Sequence, residues 1–290
     1  MSIKYKQIFL DFDSTISKIE GIDVLSDIQK LEDIQEITKK GMEGQIDLKE
    51  SYSQRTHHLS FHPPHMKIVS DVYIANLYPD VRETVNILKF FEKEVIVVSG
   101  GFYEAIEPVC KHLGIDNLYA IKTDGGLQES VLMESDGKCK IVEKHKTGNS
   151  VFIGDGVTDE VTKNVVERMI PFAGVEKRKW MENTDLMCYS GKSFLGILCL
   201  ILDDEEFSEF QKKFPQLSEK ALSSCAVKNP SESVANLLER GIKHYHIPGP
   251  SELHEDIRNI SFSMISHRSP EFMDIYDEVQ KELKRCFKTD

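Results

Sequence analysis

Ile8-Phe9-Leu10-Asp11-Phe12-Asp13-Ser14-Thr15 is the stretch from which the rest of the chain can be read. Three apolar residues predict a short buried strand. The two acids that follow alternate with Phe12, so at the two-residue period of a strand both carboxylates leave the same face where the strand ends. Ser14 and Thr15 add hydroxyls and a turn whose backbone N–H groups can face an anion. Two carboxylates this close repel unless a cation lies between them or one keeps its proton. The first outcome is a hard-cation site of oxygen ligands; the second is a nucleophile beside a general acid. A bare D-x-D is also compatible with two solvated acids in a loop, so the other strand ends must decide.

Two later segments repeat the pattern. Glu94-Val95-Ile96-Val97-Val98-Ser99-Gly100-Gly101 predicts a buried strand running into Ser-Gly-Gly, with a helix near Tyr103 to Leu113 and a short apolar segment at Leu118 to Ile121 behind it. Ser150-Val151-Phe152-Ile153-Gly154-Asp155-Gly156 predicts a strand that ends in an acid between glycines. Asp80 to Phe91 reads as an amphipathic helix, Val131 to Glu134 as one strand of a small hairpin, and Asp136 as the N-cap of a helix through His145. Strands and helices that alternate, with the strands apolar throughout, predict a parallel sheet covered on both faces. Ligands of such sheets sit beyond the carboxyl ends of the strands. Asp11, Asp13, Ser99, Asp155 and Asp159 are therefore expected to meet in one crevice.

Between the first strand and the second lies a stretch that reads as helical from Glu20 to about Val72, with Ile28, Leu31, Ile34 and Ile37 at three-residue steps and Gly41 and Gly44 as breaks. His62-Pro63-Pro64-His65 marks a turn or boundary within it. Inserted there, residues 20–72 are expected to form a lid over the crevice. Residues 1–19 and 73–202 would make the α/β core and 203–290 a mainly helical C-terminal extension.

Composition narrows the partners. A formal net charge of -12 over 290 residues argues against non-specific binding to nucleic acid or to an anionic membrane. The longest apolar run, Phe194 to Leu202, is too short to span a bilayer. Six cysteines lie without C-x-x-C or framework spacing and are expected as reduced thiols in a cytoplasmic protein. The N-terminus enters the first strand without a signal-peptide pattern.

An acidic site for an anionic substrate needs a fixed cation. Lys138, Lys140, Lys144 and Lys146 all lie on the helix after Asp136. A helix that starts at the crevice and leaves it at about 1.5 Å per residue puts Lys138 within reach and carries Lys144 and Lys146 roughly 10 Å farther away. Asp11 and Asp155, with a backbone carbonyl and waters, would suit Mg²⁺. Ser99-Gly100-Gly101 offers a hydroxyl and bare N–H groups at a helix N-terminus, a phosphate cradle.

Asp11-Phe12-Asp13-Ser14-Thr15, Ser99-Gly100-Gly101, a lysine, and Gly154-Asp155-Gly156-Val157-Thr158-Asp159 resemble, in order, the four motifs of the haloacid dehalogenase superfamily. Glu20-Gly21-Ile22-Asp23, Met42 with Gly44, and Arg55 further resemble the cap of its phosphoserine phosphatases. Together the motifs cover about residues 5 to 200. This likeness implies a Rossmannoid core with a helical cap, hydrolysis of phosphoserine to serine and phosphate through an aspartyl-phosphate, and a Mg²⁺ cofactor. It implies Asp11 as nucleophile, Asp13 as acid/base and Lys138 as the phosphate cation, with Lys140 as its rival. The metal would be held by Asp11, the Asp13 carbonyl and Asp155, with Asp159 in support. Glu20, Met42, Arg55, Ser99, Gly100 and Thr158 would line the substrate, Glu20 facing its ammonium and Arg55 its carboxylate. The alternatives are a relative acting on another small phosphomonoester, one passing phosphate to an acceptor, and a non-catalytic module reusing the fold. Against the last, clustered acids cost a binding scaffold energy without return.

After Leu202 the chain turns charged and then proline-rich. Ile247-Pro248-Gly249-Pro250-Ser251-Glu252-Leu253, His267-Arg268-Ser269-Pro270-Glu271-Phe272 and the amphipathic run Met273 to Phe287 resemble the N-terminal segment of class V pyridoxal-phosphate aminotransferases. Neither the Schiff-base lysine region nor the phosphate cup is included, so the resemblance implies a fused or docked aminotransferase partner and no transaminase activity in this chain.

Overall fold

In the computed structural model, residues 3–31, 56, 59–124 and 126–228 are described. Met42, Gly44 and Arg55, and the whole aminotransferase-like tail, lie outside the described residues. The chain divides between residues 244 and 245 into two units, and all the described residues belong to the first.

A five-stranded parallel sheet in the order β3-β2-β1-β4-β5 is the frame, formed by β1 (Gln7–Leu10), β2 (Glu94–Phe102), β3 (Asn117–Ile121), β4 (Ser150–Gly154) and β5 (Arg168–Pro171). β1 lies between β2 and β4, with Leu10 opposite Val97 on one side and Ile153 on the other. Ile8, Phe9 and Leu10 are fully buried, as are Val97 and Val98 on β2 and Val151 to Ile153 on β4. That is the signature of a sheet covered on both faces. Because β1 is central, the strand end at Asp11 opens where the order reverses between β2 and β4, the place where doubly wound sheets bind ligands.

Helices supply the cover. They are α1 (Gly21–Gln29), α2 (Pro63–Ala75), α3 (Val81–Phe90), α4 (Tyr103–Leu113), α5 (Gly137–His145), the single turns α6 (Val157–Glu160) and α7 (Leu198–Ile201), then α8 (Asp204–Lys213) and α9 (Pro215–Ser224). His62 occupies the N-cap position of α2 and Pro63 takes the first helical position, where a missing N–H costs nothing; the boundary expected at His62-Pro63-Pro64-His65 is a helix start. α1 stops at Gln29 because Lys30 turns left-handed (φ 57°). The Gln29 side chain then exchanges two hydrogen bonds with the Ser60 backbone. α2 packs on α1 and on α4, so the exit of the inserted segment is seated on the core.

Three expectations change. Val131–Met133 is a 3₁₀ turn rather than a hairpin strand, with Ser130 Oγ capping Leu132 N. Asp136 occupies the N-cap position of α5 without capping it, because its carboxylate pairs with Lys140 instead. Ser99-Gly100-Gly101 does not open a helix: β2 runs on to Phe102, and the pairing jumps from Val98↔Tyr119 to Phe102↔Ile121. The stretch is thus bulged out of the ladder, a device that re-aims a strand end beside a site.

Residues 204–228 join the same core. Phe207, Phe210 and Ala221 are buried in it, and a short antiparallel pair, β6 (Cys188–Tyr189) with β7 (Val227–Lys228), closes the described chain. Glu206 completes a capping box with Asp203. It also meets Lys93 Nζ at 2.8 Å, both side chains almost wholly buried, while Lys93 donates to the Tyr5 carbonyl at 2.8 Å. Removing one member of a buried pair leaves the other charged and unsolvated. Glu206→Ala is therefore expected to cost about 3–5 kcal/mol in urea denaturation, and joining it to Lys93→Met should recover much of that loss. Among the described residues no helix is long and apolar enough to cross a membrane.

Candidate active site

The site grows out of the end of β1. Asp11 N donates to the Ile153 carbonyl at 2.9 Å, continuing the ladder to β4, and Ser14 then turns left-handed (φ 51°), which bends the chain away after Asp13. Asp11, Asp13, Asp155 and Asp159 are all buried. One carboxylate oxygen each from Asp11, Asp155 and Asp159 lie within 4.8 Å of one another, close enough to share an ion with oxygen ligands.

Each acid has its own environment. Lys138, in the first turn of α5, places Nζ 2.8 Å from Asp11 Oδ1 and 2.6 Å from Asp159 Oδ1. Burial opposes its charge, but Asp11 and Asp159 outweigh that and raise its pKa. Lys140 points elsewhere, to Glu134 and Asp136 on the surface. Asp159 Oδ2 accepts from Gly156 N at 2.8 Å, so both its oxygens are engaged and it braces Lys138. Gly154 permits this, since a Cβ there would lie 2.4 Å from Asp159 Cγ. Asp13 Oδ1 accepts from Gly21 N at 2.9 Å and from the Tyr73 hydroxyl at 2.5 Å.

Ser99 is buried, its Oγ accepting from Gly101 N at 2.9 Å. A Cβ on Gly100 would meet nothing within 4 Å, so the bulge has open space against its backbone. Thr158 is half-buried on α6. Glu20 precedes α1 with its carboxylate already engaged, accepting from Ser14 Oγ at 2.6 Å and facing Arg178 Nη2 at 3.3 Å.

Arg178 is the residue that sequence reasoning missed. It is buried, and its Nε donates to Asp155 Oδ2 at 2.7 Å while Nη1 meets Glu176. Trp180, the single tryptophan, donates from Nε1 to the Asp155 carbonyl at 2.9 Å. Within the run Glu176-Lys177-Arg178-Lys179 nothing marks this arginine; it reads as a solvated charge. Only the lone tryptophan beside it could have drawn attention.

Five carboxylates (Asp11, Asp13, Glu20, Asp155, Asp159) thus face two buried cations. Burial raises Asp155 well above the carboxylate range, partly offset by Arg178. Burial and then Glu20 lift Asp13 to about 8, and burial and then Asp11 lift Asp159 to about 7. Such a pocket holds protons until a metal cation replaces them. The residues fit one: Asp155 Oδ1 is buried without a hydrogen-bond partner, and every candidate ligand is oxygen, the donor that hard divalent cations prefer.

Comparison with known proteins agrees with this geometry. Residues 5–161 match the family model described as haloacid dehalogenase-like hydrolase. Among curated relatives, the phosphoserine phosphatase of Bos taurus is 29% identical over 215 residues, covering 65% of this chain and 91% of that protein. That of Homo sapiens is 31% identical over 182 residues, covering 57% and 80%, and that of Methanocaldococcus jannaschii 31% over 172 residues, covering 55% and 81%. Two solved structures, a phospho-aspartyl intermediate analogue of phosphoserine phosphatase and a substrate-bound phosphoserine phosphatase complex, each give a TM-score of 0.61. They are 26% and 27% identical and cover 69% of this chain and 100% of theirs. Since the matched segment takes in more than half of the 290 residues and carries every strand end that builds the acid cluster, this chain belongs to the haloacid dehalogenase-like hydrolases.

Proposed function

We propose that the chain is a Mg²⁺-dependent phosphomonoesterase that hydrolyses O-phospho-L-serine to serine and phosphate. The observation that carries this reading is the meeting of Asp11 with Lys138 at 2.8 Å beside Asp13 and the Asp155 and Asp159 carboxylates. The named activity of the relatives gives the substrate. Asp11, through a carboxylate oxygen, attacks phosphorus in line, and the bond from phosphorus to the serine oxygen breaks. Asp13, whose proton is retained near neutral pH, passes it to that oxygen. Water then attacks the aspartyl-phosphate, Asp13 takes the water's proton, and the bond to Asp11 breaks. Lys138 holds the nucleophile and balances charge on the equatorial oxygens, while Asp159 braces Lys138. The N–H groups of the Ser99-Gly100 bulge cradle the phosphate. Asp11, Asp155 and the Asp13 carbonyl would hold Mg²⁺, which when bound neutralises the acids and polarises the phosphate.

On the same reading Glu20 receives the substrate ammonium, for which Arg178 and Ser14 must yield it, and Arg55, Met42 and Thr158 complete the substrate pocket. Residues 20–72 serve as the cap on a core of 1–19 and 73–202. Since α8 and α9 pack on that core, a separate role for the 203–290 extension falls to the part after residue 228, where the likeness to an aminotransferase supports a fused or docked partner. A cytoplasmic setting is supported by free thiols at Cys110, Cys139, Cys188, Cys199 and Cys225.

Phosphate release from O-phospho-L-serine, with and without Mg²⁺ and beside a panel of other small phosphomonoesters and acceptor alcohols, tests the reading. Release that favours phosphoserine and needs Mg²⁺ is expected. Preference for another ester, or transfer to an acceptor, would replace the substrate and keep the chemistry.

A further inference from the structure

Tyr73 has no part in the chemistry above, yet its side chain is fully buried and its hydroxyl ends on the acid/base residue. We propose that Tyr73 is a positioning residue that fixes Asp13 in the orientation from which it protonates the leaving oxygen. This rests on the reading of Asp13 given above.

The geometry is specific about which carboxylate oxygen does what. Oδ1 receives two donors, the Tyr73 hydroxyl at 2.5 Å and Gly21 N at 2.9 Å, which pins that end of the carboxylate. Oδ2 points the other way: a Cβ on Gly101 would lie 2.7 Å from it, so this oxygen abuts the bulged stretch Ser99-Gly100-Gly101 that cradles the phosphate. The oxygen left to carry the moving proton is thus the one facing the substrate. The Tyr73 ring is itself held edge-on against Phe12, centroids 4.8 Å apart at 85°, between the two acids.

Sequence and structure depend on each other here. A Cβ at position 21 would come within 1.9 Å of the Tyr73 hydroxyl, so Gly21 is required by the tyrosine, and with any larger residue the hydroxyl could not reach Asp13. Gly21 begins α1, where the chain enters the inserted segment, and Tyr73 sits on α2, where it leaves. The junctions on either side of the segment therefore grip one oxygen of Asp13, and the seating of α1 and α2 sets the acid's orientation.

Tyr73→Phe keeps the ring and removes the donor. Leaving-group release in the first turnover separates positioning from general damage, because a serine alkoxide needs a proton and a nitrophenolate does not. The variant is expected to release serine from O-phospho-L-serine on the order of 10- to 100-fold more slowly, with KM unchanged, and to release nitrophenolate from p-nitrophenyl phosphate within about twofold of the parent rate, no proton being required there. Gly21→Ala, which pushes the hydroxyl away while keeping Tyr73, should show the same split. Equal slowing with both substrates, or none with either, in a folded variant overturns the proposal. A parent protein that cleaves neither substrate overturns the phosphatase reading itself.

Discussion

Asp11→Asn protein is expected to fold normally and to release no measurable phosphate from O-phospho-L-serine, a loss of at least about 10⁴-fold in turnover, as for other enzymes stripped of their nucleophile. The amide is isosteric but cannot displace a serine oxygen from phosphorus. The fold should tolerate it because Asp11 belongs to an excess of buried acid: it pushes up the pKa of Asp13, Glu20, Asp155 and Asp159. What it gives up is the 2.8 Å contact with Lys138, whose 2.6 Å bond to Asp159 remains. Thermal unfolding of the metal-free variant should therefore stay close to that of the parent. Retained turnover in Asp11→Asn would remove the aspartyl-phosphate route altogether.

Stripping divalent cations with a chelator should abolish activity, and restoring Mg²⁺ should return it. The same ion should raise thermal stability, by about 2.7 kcal/mol at a hundred times its Kd, because the acid cluster binds it only when folded. The effect has a pH signature. Folded Asp13 and Asp159 titrate at about 8 and about 7 against an ordinary 3.8. The metal-free folded state therefore binds more protons than the unfolded chain between these values, and its stability falls as pH rises from about 4 to about 8. Mg²⁺ replaces the protons of the carboxylates that cluster around it, Asp155 and Asp159, while Asp13, which would meet it only through its carbonyl, keeps its own; the stabilising shift should therefore grow as pH rises towards about 7. Asp155→Asn should lose most of the shift. A Mg²⁺ shift that is independent of pH, or equal in Asp155→Asn, would place the ion elsewhere.

Much of this site is legible in the order of residues because its parts obey local rules. The two-residue period of a strand puts Asp11 and Asp13 on one face, and the apolar runs before Ser99 and Asp155 mark strands buried on both sides. Helical rise alone separates Lys138 from Lys144 and Lys146. The bulge that carries Ser99 is less visible, since a register jump depends on the partner strand at Tyr119 and Ile121. β5 is hidden for a related reason: Arg168-Met169-Ile170-Pro171 is short and begins and ends with residues that do not advertise a strand.

By itself, then, the amino-acid order determined the strands that end in Asp11, Ser99 and Asp155, the identity of the acids, and a choice between Lys138 and Lys140 that the structure settles, since Lys138 meets Asp11 and Asp159 and Lys140 meets Glu134 and Asp136. Tertiary structure decided which acid does which task. Arg178 reaches Asp155 from 23 residues away and Tyr73 reaches Asp13 from 60; no period of helix or strand spans such distances, and only packing puts those donors beside those oxygens. In a pocket where five carboxylates meet two cations, the placement of each donor sets which oxygen is pinned and which is left to face the substrate.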